Sequence, residues 1–398
     1  MKFDFLVIGA GIAGASIAYE LSRSSRVCLI EAEAQPGFHA TGRSAALFAP
    51  SYGGPEIRKA TQASRRFFDR PPPGFCEHSL LHRRRALYIA RRDQSGRLPQ
   101  MVADIRASGG AIAMISKRDA VASVPLLRVG YVMEAAVDPE AMDIDVAGLH
   151  QGFLRGARAA GAVIATNTRV AHVERRHGLW ETALIDGSAV APVLINAAGA
   201  WADGIAKTCG AQPIGLQPYR RTAVLVDTPI GMDISGWPAV IDADEQFYFK
   251  PDAGRLLLSP ADETPVKAGD AQPEELDIAI CVDRVEAALD MEVRRIRHSW
   301  AGLRTFAPDR VPVLGFDAEV AGFFWCAGQG GYGIQTAPAL ARTAAALVKG
   351  ECLPADVTAE GLNAEDLSPR RFVDSATANR ERPGALMKGV SPHSWCPT

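Results

Sequence analysis

The sequence contains no hydrophobic run that approaches the roughly twenty residues of a membrane-spanning helix. Its seven cysteines are scattered and include no Cys-x-x-Cys pair, a pattern typical of reduced thiols and not of a zinc site. The formal net charge is only −2, so no excess of basic residues indicates binding to nucleic acid or to an anionic membrane. The first apolar run begins almost at Met1, so no signal peptide is expected before it. These absences predict a cytoplasmic protein with no membrane span, no metal and no nucleic-acid partner.

The N-terminal stretch has the element order of a dinucleotide-binding site. The apolar run Phe5–Ile8 predicts a buried parallel strand, and a helical pattern follows from Ile12 to about Arg23. A second apolar run, Val27–Ile30, ends at Glu31. Glu31 lies about twenty residues beyond the middle glycine of the turn, where a carboxylate accepts hydrogen bonds from ribose hydroxyls. The same negative charge would repel a 2′-phosphate.

Three glycines between the first strand and the helix have distinct tasks. Gly9 allows the tight turn, Gly11 lets the backbone approach a pyrophosphate, and Gly14 lets the helix pack closely against the strand. The free N–H groups at the helix start bind phosphate, with the positive end of the helix dipole behind them. The whole unit predicts that the protein binds a dinucleotide.

A second glycine turn lies near the other end of the chain. The apolar residues 322–327 lead into the glycine-rich residues 328–333, and a helical pattern then continues to Gly350, its expected C-cap. This second helix start aims its dipole at an electron-rich group. A nicotinamide has no such group, whereas a reduced flavin gains negative charge at N1 and at the C2 carbonyl. Two turns of this kind therefore favour FAD over NAD.

The residues that follow the second strand have two interpretations. Thr41, Arg43 and Ser44 surround Gly42 and form either a second cradle for the same cofactor or a capped loop. The next segment, 47–55, contains paired glycines and two prolines around Tyr52. Such a segment can act as a lid, and we expect Tyr52 to face the ligand.

The order of the remaining apolar runs predicts an α/β fold with two domains. Residues 193–201 repeat the strand, glycine turn and helix of the N-terminus, whereas residues 216–260 contain four β-like runs separated by Gly, Pro and Asp. We therefore predict a doubly wound (Rossmann-type) FAD-binding domain and a second, mostly antiparallel-sheet domain that binds the substrate. With 398 residues the chain is long enough for both.

The boundaries of these domains follow from the same runs. The FAD-binding domain is expected to be discontinuous, with pieces at residues 1–50, 140–215 and 310–372. The substrate domain is expected at residues 51–139 and 216–309. Residues 373–398 show no periodicity and are predicted to be a disordered tail.

Several of these motifs together resemble a known family. Residues 7–14, 41–46, 195–201 and 330–334 look like the FAD-dependent D-amino-acid oxidase superfamily and, within it, the bacterial D-arginine dehydrogenases. The resemblance covers nearly the whole chain except the tail, through further matches at residues 75–78, 216–218, 220–221, 247–248, 250–254, 300–304 and 367–371.

The resemblance implies a flavoenzyme that takes a hydride from the α-carbon of a D-amino acid, after which the imino acid hydrolyses. Arg221 and Arg304 match the family's pair that binds the substrate carboxylate, a task for which the planar guanidinium is suited. Tyr52 and Tyr248 match hydroxyl groups that complete the carboxylate site, and the backbone of Gly331 matches an acceptor for the amino group. Residues 304–307 carry no cysteine where some relatives attach the flavin, so FAD is expected to be non-covalent.

The glycine turns and the family motifs together predict the residues that contact FAD. They belong to the two turns, to the segment after Glu31, and to the strand ends near residues 170 and 198. The set is Gly9, Gly11, Ile12, Ala13, Gly14, Glu31, Ala32, Thr41, Arg43, Ser44, Ala45, Val170, Ala198, Gly199, Trp201, Gly330, Gly331, Gly333 and Ile334.

Several positions depart from the family pattern in the predicted substrate pocket. Ala86 stands where the family enzyme has a carboxylate that binds a guanidinium. Leu47, Ala49 and Ala239 replace a histidine, a threonine and a methionine, and Ile241 lies beside them. A buried guanidinium without its counter-charge costs roughly 3–5 kcal/mol. We therefore expect D-arginine to be a poor substrate and apolar or aromatic side chains to be preferred.

One alternative for this pocket is that Arg84 or Arg85 turns inward to meet an acidic substrate side chain. Two alternatives for the whole protein also stay open. The enzyme could oxidise an N-substituted amino acid or a 2-hydroxy acid, or the chain could be a flavin-bearing subunit without turnover of its own. No motif specifies the electron acceptor, which is unknown at this stage.

Overall fold

The computed structural model describes residues 1–372 of the chain. The predicted disordered tail lies outside the described residues. No helix within residues 1–372 is both long enough and apolar enough to cross a membrane. The same part of the chain contains no group of three His, Cys, Asp or Glu side chains arranged to hold a metal ion.

Ten α-helices and twenty-one strands are formed by the described residues. The helices are α1 (Ile12–Ser22), α2 (Pro55–Asp69), α3 (Arg97–Ala107), α4 (Lys117–Ser123), α5 (Val146–Ala159), α6 (Ala202–Thr208), α7 (Glu275–Ala288), α8 (Gly333–Lys349), α9 (Ala355–Ala359) and α10 (Ala364–Leu367). The strands are β1 (Phe5–Ile8), β2 (Val27–Ile30), β3 (Leu47–Phe48), β4 (Leu81–Arg83), β5 (Ala86–Ala90), β6 (Ala113–Ile115), β7 (Glu134–Asp138), β8 (Met142–Ile144), β9 (Val163–Ala165), β10 (Val173–Arg176), β11 (Leu179–Leu184), β12 (Gly187–Ala191), β13 (Val193–Asn196), β14 (Gln217–Val226), β15 (Ala239–Asp242), β16 (Tyr248–Asp252), β17 (Arg255–Ser259), β18 (Thr264–Pro265), β19 (Ile296–Phe306), β20 (Val313–Phe316) and β21 (Phe323–Ala327).

The first large sheet has six strands in the order β20-β21-β13-β1-β2-β9. All neighbours are parallel except β20, which pairs antiparallel with β21. Helices α1, α5 and α8 cover one face, and the β10–β12 meander with α6 covers the other. Burial on both faces explains why β1 and β2 are continuous apolar runs. The strand order reverses between β1 and β13, and ligands of such sheets bind at the carboxyl ends of the strands beside this reversal.

The second large sheet has nine strands and is antiparallel except between β5 and β15. Its long strands β14 and β19 pair along most of their length, and α7 packs against one face. This pair extends toward the carboxyl ends of the first sheet. It therefore brings side chains of the second sheet to the reversal point of the first. The predicted class, a doubly wound α/β domain beside a mostly antiparallel sheet, is confirmed.

The two-domain division by residue number stays a proposal. All six strands of the first sheet lie in residues 1–50, 140–215 and 310–372, and all nine of the second lie in the other two ranges.

Two predicted elements differ from the observed ones for local reasons. The sequence of residues 143–160 predicts an amphipathic helix, but α5 begins at Val146, because the side chain of Asp145 accepts the Gly148 N–H as its N-cap and residues 142–144 pair as β8. The sequence of residues 168–174 predicts a short strand, but β10 begins at Val173, because the Thr168 N–H instead donates to the Glu31 carbonyl.

Candidate cofactor and substrate site

A cavity of about 380 Å³ lies where the carboxyl ends of the parallel strands meet the second sheet. All the predicted cofactor residues line this cavity except Gly14. Of the predicted catalytic residues, Arg221, Tyr248, Arg304 and Gly331 line it, whereas Tyr52 lies behind them. The fold therefore brings residues from opposite ends of the chain to one place.

The first glycine turn has room for no side chain at two positions. Gly9 has a φ of +96°, and a Cβ there would lie 2.6 Å from the Ala197 carbonyl oxygen. A Cβ at Gly14 would lie 1.8 Å from the Gly9 carbonyl oxygen. Gly14 thus lets α1 pack against the turn and does not itself face the cavity.

Two side chains hold the backbone around this turn. The Ile12 N–H donates to Thr41 Oγ1 at 2.9 Å, and the Ala10 N–H donates to Glu31 Oε2 at 2.8 Å. The other oxygen of Glu31 accepts the Glu33 N–H at 2.9 Å. Because each carboxylate oxygen has two lone pairs, Glu31 can still accept hydrogen bonds from the ribose of a nucleotide in the cavity.

Arg43 lines the cavity, but its charge is already engaged. Its guanidinium donates to the carbonyl oxygens of Ala271 and Ala301 at 2.9 and 3.0 Å and forms an ion pair with Asp270. Its own carbonyl oxygen accepts the indole N–H of Trp300 at 2.9 Å. Arg43 therefore ties the loop to β19, and Ser44 and Ala45 offer backbone and hydroxyl groups to the cavity.

The second glycine turn opens helix α8 toward the same cavity. Its N-cap residue, Tyr332, makes no side-chain cap, so no side chain of the capping residue covers the first-turn N–H groups. Gly330 has a φ of +56°, and a Cβ there would lie 2.1 Å from the ring of Phe306. This turn therefore also requires glycine for close packing.

These features fit FAD. The start of α1 faces the cavity beside Gly9 and Gly11 and would hold the pyrophosphate, with Glu31 at the ribose. The start of α8 faces the same cavity and would stabilise negative charge on a reduced flavin ring.

Arg221 and Arg304 come from the paired strands β14 and β19. Arg221 lies opposite Gly302, and Arg304 lies opposite Tyr219. Burial lowers the pKa of Arg221, and the nearby positive charge of Arg304 lowers it further. Burial also acts to lower the pKa of Arg304, but Tyr52, Tyr248 and Glu245 outweigh it and the net pKa is raised. Both groups stay charged, so two like charges share the inner end of the cavity.

This cationic end is only partly neutralised. Arg221 Nη2 donates to Glu263 at 3.1 Å, while its buried Nε has no partner. Arg304 lies close to the hydroxyl of Tyr52 and has no carboxylate within 4.0 Å among the residues that the structure describes. An anion that accepts hydrogen bonds from both guanidinium groups would complete the site.

Aromatic hydroxyl groups surround Arg304. The ring of Tyr52 lies 5.2 Å from that of Tyr332, and its hydroxyl lies 3.5 Å from Glu245 Oε2. Burial raises the pKa of Tyr52, and it raises that of Tyr332 to about 12. Both hydroxyls therefore remain protonated hydrogen-bond donors at neutral pH.

The five residues predicted to form the substrate side-chain pocket do not line the cavity. Ala86 and Ala239 are neighbours on β5 and β15, and both are fully buried. Leu47, Ala49 and Ile241 belong to the same small apolar cluster as Ala86, together with Tyr52. The cluster therefore packs against Tyr52, the residue beside Arg304.

A buried polar group beside this cluster was missed from the sequence. Asp138 lies directly opposite Ala86 on β7 and is 1% exposed. It accepts a hydrogen bond from the hydroxyl of Ser51, which in turn lies 3.3 Å from the hydroxyl of Tyr88. Glu245, near Arg304, was also missed. No local pattern marks either carboxylate, because their partners are distant in the chain.

The alternative in which an arginine next to Ala86 faces the pocket does not match the geometry. Arg84 pairs with Asp143 at 2.6 Å and donates to the carbonyl oxygens of Ser235 and Trp237. Arg85 is exposed.

Comparison with known proteins gives a family match over most of the chain. The DAO model, described as FAD dependent oxidoreductase, matches residues 4–347. The glycine oxidase of Bacillus licheniformis is 25% identical over 376 residues, which cover 88% of this chain and 94% of that one. Hydrogen cyanide synthase subunit HcnC of Pseudomonas aeruginosa is 28% identical over 212 residues, 52% of this chain, and the match spans about half (49%) of that relative. The crystal structure of glycine oxidase from Geobacillus kaustophilus superimposes with a TM-score of 0.78 at 21% identity, covering 88% of this chain and 95% of that one.

Proposed function

The chain belongs to the FAD dependent oxidoreductase (DAO) family, and on that premise we propose that it oxidises a D-amino acid with an apolar or aromatic side chain. The product would be an imino acid, which water converts to a 2-oxo acid and ammonia. The observation that carries the proposal is the pair formed by the buried Arg221 and the half-buried Arg304, which lacks a full set of counter-charges beside the second glycine turn. A substrate carboxylate is the anion that this pair suits best.

The protein residues supply binding and orientation. Arg221 and Arg304 would bind the carboxylate, with Tyr52 and Tyr248 donating hydrogen bonds and the Gly331 backbone accepting one from the amino group. FAD, when bound, supplies the acceptor for the hydride that leaves the α-carbon. The rate would come chiefly from holding that carbon in place, so no side chain needs to act as a base.

The side-chain preference rests on the sequence, in which Ala86 stands where the resembling enzymes have a carboxylate. Leu47, Ala49 and Ala239 replace a histidine, a threonine and a methionine there, with Ile241 beside them. The D configuration rests on the resemblance to D-arginine dehydrogenases. Non-covalent FAD is supported by the cavity lining, which contains no cysteine among the described residues. A cytoplasmic location, the lack of a nucleic-acid partner and an unassigned electron acceptor remain part of the same proposal.

A second candidate is oxidation of glycine or of an N-substituted amino acid. It is supported by the similarity to glycine oxidases and by the lack of a side-chain pocket within the cavity, since the five predicted pocket residues lie behind Tyr52. Such a substrate would use the same carboxylate site.

One experiment separates the candidates. Purified protein loaded with FAD is mixed anaerobically with D-amino acids, L-amino acids, glycine, N-substituted amino acids and 2-hydroxy acids, and loss of the flavin absorption band is followed. Bleaching by D-leucine or D-phenylalanine well ahead of D-arginine supports the proposal. Bleaching only by glycine or N-substituted substrates supports the second candidate, and bleaching by none favours a subunit without turnover.

A further inference from the structure

The central peptide of the first glycine turn is held from both sides. The N–H of Ala10 donates to Glu31 Oε2 at 2.8 Å, and the carbonyl oxygen of Ala10 lies 2.8 Å from Nε2 of His150. We propose that His150 is a positioning residue that fixes the pyrophosphate-binding turn of the FAD site. The proposal rests on FAD binding and not on the proposed substrate.

His150 is placed for this task by helix α5. It is 4% exposed, and α5 packs against α1, the helix that the turn opens. Because a carbonyl oxygen can only accept, Nε2 must carry a proton. Burial lowers the pKa of His150, which is consistent with a neutral imidazole.

The same ring also contacts the loop that completes the cradle. A Cβ at Gly37 would lie 2.8 Å from Cε1 of His150, so the ring fills the space up to the backbone there. The Gly37 carbonyl oxygen accepts the Gly42 N–H at 2.7 Å, next to Thr41, whose hydroxyl accepts the Ile12 N–H. His150 therefore contacts both backbone segments that line this end of the cavity.

Loss of the hydrogen bond between His150 and the Ala10 carbonyl oxygen should lower the affinity for the cofactor. Without His150 the Ala10 carbonyl is buried and unpaired, and the peptide is free to rotate away from the orientation that directs the α1 N–H groups into the cavity. One lost hydrogen bond of this kind corresponds to about a tenfold weaker binding of FAD.

The test compares two substitutions at one position. In His150→Gln the side-chain amide can still donate to Ala10, whereas His150→Leu keeps bulk without a donor. Apoprotein is titrated with FAD, followed by flavin fluorescence, and separately with ADP, followed by calorimetry. We expect His150→Leu to raise Kd for FAD and for ADP about tenfold and by the same factor, and His150→Gln to stay within about threefold of wild type.

A matched control removes a comparable hydrogen bond elsewhere. The indole N–H of Trp180, 1% exposed, donates to the Gly322 carbonyl oxygen at 2.9 Å outside the cavity. Trp180→Phe should leave both Kd values unchanged. An unchanged Kd in His150→Leu, or a Gln variant as weak as the Leu variant, would overturn the proposal.

A spectroscopic measurement covers the case in which His150→Leu does not fold. Nitrogen NMR of histidine-labelled wild-type protein should show a neutral His150 with its proton on Nε2. A neutral ring protonated on Nδ1 would refute the proposed hydrogen bond. Neither outcome depends on which substrate the enzyme oxidises.

Discussion

Gly331→Ala should disable the carboxylate site without changing any charged group. A Cβ at this position would lie 2.8 Å from Nη1 of Arg304, 3.0 Å from its Cζ and 3.1 Å from its Cδ. Ordinary contacts between such atoms are about 3.5–4.0 Å, so the guanidinium must move by roughly 0.5–1 Å. Gly331 has no positive φ, so its backbone accepts alanine without strain.

The size of the effect follows from the displaced group. A hydrogen bond to a charged partner contributes about 1.5–3 kcal/mol, and a misplacement of about 1 Å costs up to about 100-fold in rate. We expect kcat/KM for the best substrate to fall about 10- to 100-fold, mostly through KM. Affinity for a simple carboxylate ligand should fall by a similar factor.

The assay is a titration of FAD-loaded enzyme with an aromatic carboxylate, followed by the flavin spectrum, together with anaerobic flavin reduction. Gly130→Ala is the matched control, because a Cβ there meets nothing within 4 Å and its φ is not positive. In an Arg304→Met background, Gly331→Ala should cost nothing further, since the group it displaces is gone. Wild-type affinity in Gly331→Ala, or an equal loss in the Arg304→Met background, would refute the reasoning.

Three further predictions concern the surroundings of the site. Ser51→Ala removes a hydrogen-bond donor from the buried carboxylate of Asp138 and should lower the free energy of unfolding by about 1–3 kcal/mol. It should also raise KM through the adjacent Tyr52, whereas Ser51→Thr, which keeps the hydroxyl, should leave both quantities near their wild-type values. Urea unfolding and steady-state kinetics measure these changes. Ala86→Glu alone should lower the melting temperature and give no D-arginine oxidation, because the new carboxylate lies directly opposite the carboxylate of Asp138 and the two repel each other. Adding Asp138→Asn removes this repulsion and should recover the stability. Burial holds the pKa of His150 below its ordinary value of 6.5, so below about pH 6.5 the unfolded chain takes up a proton that the native state does not. The free energy of unfolding should therefore fall as the pH drops below about 6.5. His150→Gln should remove this contribution to the pH dependence of the free energy of unfolding, as measured by urea titrations at pH 5.0–7.5.

Elements that depend on local pattern could be predicted from the sequence. The runs predicted at residues 5–8 and 27–30 match observed strands residue for residue, because continuous apolar segments are buried whatever surrounds them. Gly350 ends α8 in the left-handed conformation, as predicted for a C-cap. The predicted start of α5 at residue 143 is too early, because Asp143 and Asp145 are both able to cap a helix. Tertiary contacts decide between them, since Arg84 and Lys250 engage the carboxylate of Asp143.

The residues of the site also fall into two groups, those that a local sequence pattern predicts and those that only tertiary contacts bring together. The glycine turns and Glu31 could be found because strand, turn and helix are adjacent in the chain, whereas Arg221 and Arg304 required a family resemblance. Asp138 and its partner Ser51 are 87 positions apart, and their contact depends on how β7 packs against the Tyr52 segment. His150 is 140 positions from Ala10, and a lone histidine on an amphipathic helix carries no signal of that contact.

The charges around Arg304 explain why the substrate's carboxylate is expected to dominate recognition. Glu263 is shared between Arg221 and Arg310, at 3.1 and 2.8 Å, and Glu245 is the other carboxylate that acts on Arg304. Among the described residues, Arg221 thus shares its one carboxylate within 4.0 Å with Arg310, and Arg304 has none, so the pair has a deficit of negative charge. Burial makes this deficit costly, since like charges in a partly dry site repel more strongly than in water. A ligand carboxylate removes the repulsion whatever its side chain is, so the side chain adjusts specificity among acids that the arginine pair already selects.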